Sequence, residues 1–250
     1  MSKVPKQSLS PKKVLILGSS GMIGHTVSEY LLEKLTVFRV FRENQRRYYD
    51  NCFYFKEINY ETLNKIISDV RPDFVLNCIG LTKHLATSTS IEYFYPNIVI
   101  PRYLKLLKLR FNFKLIHISS DCVFNGQEGK YEEASLPNAH DFYGLSKAIS
   151  ETDLKSSAMI LRTSTVGFEK GTKNGLVEWF LNSDGIIKGF TKAYFNGVST
   201  LELSKVIWEI ISDKIEFENG IFHVTGNTIS KYYFPLLLNE VHQAKKNIEK

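Results

Sequence analysis

Lys13-Val14-Leu15-Ile16-Leu17-Gly18-Ser19-Ser20-Gly21-Met22-Ile23-Gly24 is the stretch that decides how this chain is read. Its first five residues are a short apolar run ending in glycine, which favours a buried strand over a helix. The period then changes. Ile23, Val27 and Leu31 recur at i, i+4 and i+8 and form one apolar helical stripe. A glycine-rich turn between strand and helix lets the backbone approach a pyrophosphate, and the helix N-terminus adds unpaired N–H groups and the positive end of its dipole. Gly18, Ser20, Gly21, Met22, Ile23 and Gly24 are therefore expected to bind a dinucleotide, although G-x-x-G-x-x-G departs from the commoner G-x-G-x-x-G.

The alternation continues outward. Val37 to Phe41 reads as a strand, Tyr60 to Val70 as a helix, Asp73 to Asn77 as a strand and Ile98 to Leu109 as a helix. Leu115 to Ser119 reads as a strand, Asp141 to Lys155 as a helix and Ala158 to Leu161 as a strand. Short strands alternating with longer helices predict an α/β fold, a Rossmann-type doubly wound parallel sheet. Beyond Arg162, glycines punctuate shorter segments until helices at Leu201–Ile211 and Ser230–His242 flank a strand at Ile221–Val224. The expected division is a basic tail over 1–11, a dinucleotide-binding domain over 12–165 completed by later sheet elements, and a small substrate lobe within 166–250.

The 250 residues are 43% hydrophobic and 23% charged, a composition that supports a folded core. The net charge of +6 raises the possibility of a nucleic-acid partner, but no binding motif accompanies it. Part of that charge lies near the ends, at Lys3, Lys6, Lys12 and Lys13 and at Lys245, Lys246 and Lys250, where it is expected to be solvated. Three widely spaced cysteines, Cys52, Cys78 and Cys122, support neither a disulfide framework nor a zinc site, and a reducing, cytoplasmic setting is expected. No stretch has the length and apolarity of a signal peptide or a membrane span.

The interior arginines have a more specific reading. An acidic residue at the end of the second strand would hold a ribose 2′-hydroxyl, whereas arginine there suits a 2′-phosphate. Arg39 and Arg42, with Arg46 and Arg47 beyond, therefore favour NADPH, with NADH as the alternative and Glu43 as a ribose contact in that case. Ser120 follows the strand Leu115–Ser119, and Tyr143 and Lys147 stand four apart on one helix face. A lysine ammonium beside a tyrosine is expected to lower the phenol's pKa towards neutrality, and a serine hydroxyl can share the substrate oxygen. This set suits hydride transfer to a carbonyl. His84 is a candidate to border the nicotinamide or substrate, whereas His117 reads as a packed core histidine.

These motifs resemble the extended short-chain dehydrogenase/reductase family, and within it the dTDP-4-dehydrorhamnose reductase-like (RmlD-like) branch. The resemblance rests on Gly18–Gly24, Arg71-Pro72-Asp73-Phe74-Val75-Leu76-Asn77-Cys78-Ile79-Gly80, His117-Ile118-Ser119-Ser120-Asp121-Cys122-Val123-Phe124-Asn125-Gly126, Tyr143–Lys147 and Leu161–Ser164. It implies a reductase of a nucleotide-activated 4-keto-6-deoxy sugar in polysaccharide precursor synthesis. Tyr143 would be the general acid, Lys147 would hold the nicotinamide ribose and Ser120 would orient the carbonyl. Cys78, Ile79 and Gly80 would line the dinucleotide, with Asn59 near the adenine and Asn97 nearby. Arg162, Thr165, Asn196 and Gly197 would border the nucleotide sugar. The implied partners are that substrate and, as one option for the assembly, a homodimer, with no nucleic acid or membrane.

Three departures qualify the resemblance. Cys122 stands where the branch usually has tyrosine, which opens an alternative: epimerisation beside the ketone followed by reduction, with Cys122 as base. The segment after Arg162 lacks a tryptophan common in the branch. The chain also stops soon after the last helix, so the lobe is expected to be reduced or truncated, and no metal is assigned. A reading of another class is a non-catalytic, NADP-binding regulatory subunit like the β subunit of methionine adenosyltransferase.

Overall fold

The structure is a computed structural model that describes residues 11–42, 50–82, 91–169 and 175–250. Residues 1–10, Glu43, Arg46, Arg47 and His84 lie outside that set, so the tail and these site assignments are not described further.

The strand β1 (Lys13–Leu17) buries Val14 to Leu17 completely, because it runs through the middle of a sheet covered on both faces. The helix α1 (Met22–Leu32) follows, then β2 (Thr36–Arg42) and β3 (Cys52–Phe55). The helix α2 (Tyr60–Val70) coincides with its predicted span. Asn59 and Thr62 close its start with a reciprocal capping box, Leu63, Ile66, Ile67 and Val70 line its buried face, and left-handed Arg71, followed by Pro72, ends it.

After β4 (Phe74–Asn77), the described residues are already helical from Ile91, ahead of the predicted Ile98, as α3 (Ile91–Phe94), a π-helical turn (Tyr95–Val99) and α4 (Ile100–Lys108). Pro96 and Pro101 each remove a donor from the ladder. The wider turn, in which the Ile100 N–H bonds the Tyr95 carbonyl, accommodates them instead of ending the helix.

The rest of the sheet comes from β5 (Lys114–Ser120), then α5 (Phe142–Leu154) and β6 (Met159–Thr163). The later chain holds β7 (Thr165–Val166), α6 (Leu176–Asn182), β8 (Ile186–Lys188), β9 (Tyr194–Phe195), β10 (Val198–Ser199) and α7 (Thr200–Ile211). It closes with β11 (Gly220–Val224), β12 (Ile229–Ser230), α8 (Tyr233–His242) and β13 (Asn247–Glu249). Among the described residues the main sheet has seven parallel strands in the order β11-β6-β5-β4-β1-β2-β3. The order reverses direction between β1 and β4, which opens a crevice at the carboxyl ends of the strands.

Two apolar layers sandwich the sheet. One joins Leu15, Leu17 and Val40 to α2, α4 and Leu154 of α5. The other joins Val14, Ile16 and Val37 to Val27 and Leu31 of α1 and to Leu203, Ile207 and Ile210 of α7. The basic ends are not simply solvated. Lys12 bonds the Ile211 carbonyl and pairs with Asp213, and Lys246 donates to the Ser183 carbonyl at 2.7 Å. They fasten the ends of α7 and α6, where carbonyls lack helical partners.

Gly24 locks the first turn to the first helix. A Cβ there would stand 2.3 Å from the Gly18 carbonyl oxygen, a backbone atom that cannot step aside. Gly24→Ala is therefore expected to destabilise the protein by about 1–3 kcal/mol, the usual range for overpacking. Denaturant titration reads this directly, and an unchanged midpoint would show that the turn can open.

Candidate active site

Gly18, at the end of β1, adopts φ +79°, and a Cβ there would meet the Cys78 carbonyl group at 3.0 Å. Only glycine suits that left-handed, crowded position. Beyond it the backbone is open: a Cβ on exposed Gly21 would meet only the Gly18 oxygen, at 3.4 Å. Gly21 caps α1 without a side-chain hydrogen bond, so the first turn presents its N–H groups to the crevice. Ser20, Met22 and Ile23 are half-buried around this turn.

The neighbouring strands end at the same edge. Cys78, Ile79 and Gly80 follow β4, and Cys78 donates its N–H to the Leu17 carbonyl at 3.0 Å. Burial pushes the Cys78 thiol up to about 12, so it is a neutral packing group. Gly80 lies against α5, with the place its Cβ would take 3.0 Å from Lys147 Nζ and 3.3 Å from Asn97 Oδ1. Asn97, fully buried in the π-helical turn, accepts from the Leu81 N–H at 2.8 Å and donates to Ser146 Oγ at 2.9 Å. Its role here is to clamp the Gly80–Leu81 backbone to α5.

Ser120, Tyr143 and Lys147 converge on that edge. Ser120 ends β5, opposite Thr163 of β6, and its hydroxyl accepts from the Cys122 N–H at 3.1 Å. Asp141 caps α5 by accepting from the Gly144 N–H at 3.0 Å. Gly144 lets the helix press on the Cys122 carbonyl, where a Cβ would come to 2.3 Å. Lys147, on the buried face one turn later, donates to the Ile118 carbonyl at 3.1 Å. Burial pulls its ammonium down to about 8, against the opposing pull of Glu151 and Cys78.

Tyr143 corrects one expectation. Its hydroxyl is pushed up rather than down, chiefly by burial and then by Cys122, Asp121 and Asp141, against a hydrogen bond with Ser120. The Lys147 ammonium donates to the Ile118 carbonyl and is not among the groups that lower the phenol. Tyr143 therefore carries its proton at neutral pH, the form a general acid needs. Its ring packs 6.0 Å from that of Tyr93.

His117 is a core histidine, as its strand pattern suggests. It is fully buried and held well below its ordinary pKa by burial and Lys147. Asn77 Oδ1 accepts from the Ile79 N–H at 3.1 Å, so Asn77 Nδ2 donates to His117 Nδ1 at 3.0 Å. The protonated Nε2 then faces Ser150 Oγ at 3.2 Å, and Ser150 bonds the Lys147 carbonyl. Asn77 and Ser150 escaped sequence reasoning because only the register of β4 on β5 and the packing of α5 on the sheet show that they meet this ring.

The structure corrects one arginine assignment and gives a second arginine a carboxylate partner. Arg162 is 2% exposed, and its guanidinium is bound bidentately by Glu151, with Nη2 to Oε2 at 2.7 Å and Nε to Oε1 at 3.0 Å. It also lies 4.9 Å from the centre of the Phe124 ring, so it is a structural cation and not a substrate contact. Arg39 sits three residues before the end of β2, opposite Ile16 and so one residue below the end of β1. Its guanidinium bonds Glu29 of α1 at 3.1 Å. Arg42, exposed at the strand's last position, is the one at the level of the crevice. Asn59, also exposed, uses its side-chain oxygen to cap α2.

The lobe approaches the same edge through β7 and β10. Val198 pairs with Thr165, and the Val198 N–H donates to the Ser164 carbonyl at 2.9 Å. Gly197 permits this, since a Cβ would come 2.8 Å from the Ser164 oxygen. Asn196, Gly197 and Thr165 are thus gathered two residues past Thr163, the register partner of Ser120. Among the described residues, no group of three or more His, Cys, Asp or Glu is placed to hold a metal, and no helix is long and apolar enough to cross a membrane.

The family model for the RmlD substrate binding domain matches residues 12–249. The chain belongs to this family. The RmlD-type assignment agrees with a dTDP-4-dehydrorhamnose reductase of Aggregatibacter actinomycetemcomitans, 27% identical over 95% of this chain and 81% of the relative. The β subunit of methionine adenosyltransferase 2 from Xenopus tropicalis is 26% identical, over 56% of this chain and 42% of its own length. A solved structure described as a hypothetical dTDP-4-dehydrorhamnose reductase from Sulfolobus tokodaii superposes with a TM-score of 0.81 at 25% identity, over 95% of this chain and 85% of that one. The Bacillus anthracis dTDP-4-dehydrorhamnose reductase, solved with NADP, shares the fold at a TM-score of 0.79 and 21% identity, over 96% and 83% of the two chains. The RmlD-type fold thus extends over the seven-stranded sheet and the lobe alike.

Proposed function

We propose that the protein is an NADPH-dependent reductase of a nucleotide-activated 4-keto-6-deoxy sugar, dTDP-4-dehydrorhamnose reductase-like, serving polysaccharide precursor synthesis in the cytoplasm. The observation that carries this reading is the convergence of Ser120, Tyr143 and Lys147 beside the Gly18 and Gly80 turns at one sheet edge. The cradle suits a dinucleotide: Gly21 leaves open backbone in front of α1, and Gly80 leaves room against Lys147. Gly18 to Gly24, Cys78 to Gly80 and Arg42 would hold it, and Lys147 would engage its ribose. When bound, NADPH supplies the hydride for the keto carbon.

The chain's own groups do the rest. Tyr143 enters protonated and gives its proton to the carbonyl oxygen as negative charge develops there. Ser120, adjacent to Tyr143, donates a second hydrogen bond to that oxygen. Lys147 as an ammonium holds positive charge behind the site. Thr165, Asn196 and Gly197 are the lobe residues positioned to contact the sugar nucleotide.

Incubation of the protein and NADPH with dTDP-, UDP- and GDP-4-keto-6-deoxy sugars tests this directly. Loss of nicotinamide absorbance with at least one of them is expected. No oxidation with any sugar overturns the reductase reading in favour of the regulatory one. Cys122 lies close enough to raise the Tyr143 pKa, so the active pair should also be run in deuterated water. Deuterium incorporated beside the carbonyl would assign the thiol a proton-abstracting role, and none is expected for simple reduction.

Two further outcomes follow from the geometry. Arg42→Ala should weaken NADPH binding by about tenfold or more, the order of a charge-assisted hydrogen bond, and leave NADH binding unchanged. Fluorescence titration with both cofactors reads this, and an equal loss for the two would remove the 2′-phosphate role. The rate should also fall on the alkaline side. A lysine whose pKa is lowered to about 8 is charged below that pH and loses its proton above it. The value of kcat/KM should therefore halve near pH 8 and drop roughly tenfold by pH 9. A flat profile to pH 10 would contradict it.

A homodimer is the assembly that the outer face of α5 supports. Phe142, Leu145 and Ile149 point away from the site and, with Ile91 and Phe94, line an open groove of about 380 Å³. Sedimentation at micromolar concentration tests it.

A further inference from the structure

Glu151 lies one helical turn beyond Lys147 on the buried face of α5 and is 1% exposed. Both carboxylate oxygens are engaged. Oε1 accepts from Ser119 Oγ at 2.5 Å and from Arg162 Nε at 3.0 Å, while Oε2 accepts from Arg162 Nε at 3.1 Å and Nη2 at 2.7 Å. Ser119 precedes Ser120 in β5 and pairs in register with Arg162 of β6. One carboxylate therefore ties the helix bearing Tyr143 and Lys147 to the strand bearing Ser120. Arg162 is itself fixed by the Phe124 ring, the Glu133 carbonyl at 3.3 Å and His223 Nε2 at 3.4 Å.

The charges around Lys147 make this placement matter. From the β4 turn comes the neutral Cys78 thiol, and from β5 comes neutral His117. From its own helix come protonated Tyr143 and the Glu151 carboxylate, and from β6 comes Arg162, beyond Glu151 and paired with it. Among these groups, Glu151 is the one that stands as an anion near Lys147 at neutral pH; a Cys78 thiolate would act in the same sense, but burial keeps that thiol protonated. Ordinary burial would otherwise favour a neutral amine.

We infer that Glu151 is a positioning residue for the reaction, whose carboxylate, fixed by Ser119 and Arg162, sets the charge and placement of Lys147 and aligns α5 with Ser120. This inference rests on the reductase reading. A purely structural residue would affect stability and overall rate. A positioning residue also moves the pH at which Lys147 loses its proton.

The test compares wild type with Glu151→Gln across pH 6–10, using NADPH and whichever keto sugar wild type reduces. In parallel, competitive acetylation of Lys147 with acetic anhydride is read by mass spectrometry. Removing the negative charge makes the ammonium easier to deprotonate, so the alkaline limb of kcat/KM should move to lower pH by about one unit, a tenfold loss on that limb. The acetylation midpoint should move the same way. If Glu151→Gln does not fold, Glu151→Gln/Arg162→Met removes both charges and leaves no orphaned guanidinium; the limb and the midpoint should then move the same way but less far, because the opposing charge of the more distant Arg162 is lost with the carboxylate. A folded variant whose limb and acetylation midpoint both match wild type overturns the inference, whatever its loss of rate at the optimum. Acetylation reports on Lys147 without turnover, so a wild type that oxidises no NADPH refutes the reductase reading while the coupling is still decided.

Discussion

Tyr143→Phe is expected to lower turnover by about 10²–10⁴-fold, the usual contribution of a positioned general acid, with NADPH affinity close to wild type. The substitution removes one oxygen and keeps the ring, so the packing against Tyr93 and the start of α5 are preserved. The oxygen it removes is the one hydrogen-bonded to Ser120 and protonated at neutral pH because burial and the neighbouring Asp121, Asp141 and Cys122 disfavour the phenolate. Without it, the developing oxyanion receives a hydrogen bond from Ser120 but no proton. Single-turnover kinetics and cofactor titration on the same preparation separate the two effects. A variant that keeps turnover within tenfold of wild type would place the acid elsewhere.

Arg162→Met should cause the largest loss of stability, about 3–5 kcal/mol, because it leaves the Glu151 carboxylate buried without its counter-charge. Folded domains have about 5–15 kcal/mol in reserve, so the loss is a large part of the whole. For a chain of this size it corresponds to a fall in Tm of roughly 6–20 °C. Replacing both partners by apolar residues of similar volume should recover most of it, since the attraction of a buried pair is largely offset by the desolvation of its members. Thermal and urea denaturation of Arg162→Met and Arg162→Met/Glu151→Met would show this. Equal losses in the two would mean that the cluster contributes through its shape and not its charge.

The sheet and its glycine turn could be read from sequence because each depends on local pattern. Lys13–Leu17 and Tyr60–Val70 have the same bounds in the structure as in the sequence reading, since apolar spacing, a terminal glycine and a cap are all local signals. The helical residues from Ile91 lie ahead of the predicted span, because Pro96 reads as a break before Ile98 until the π-helical turn shows how it is absorbed. β3 was missed because Cys52-Phe53-Tyr54-Phe55 lacks the alternation that marks a strand. The two-residue pairings β7–β10 and β9–β12 are too short to leave any period.

The candidate site divides in the same way. The motifs at Ser120, Tyr143 and Lys147 announce themselves by spacing, whereas the fate of an arginine depends on which strand level and which partner it meets. Arg39 and Arg162 both find carboxylates on helices packed against their strands, and only three-dimensional register could reveal Glu29 and Glu151 as those partners. Glu151 did leave one trace, four residues after Lys147 on the same helical face, but a lone glutamate there reads equally well as solvated.

The late arrival of β11 has a bearing on how the chain reaches this structure. It completes the sheet by pairing Gly220–Val224 with Met159–Thr163, while α7 covers the α1 side of β1, whose residues were made nearly two hundred positions earlier. Contacts so distant along the chain slow folding, because loop-closure entropy must be overcome before they form. During synthesis, Val14, Ile16, Val27 and Leu31 therefore wait for Leu203, Ile207 and Ile210 before their layer closes. A nascent chain ending before α7 would leave that apolar face uncovered.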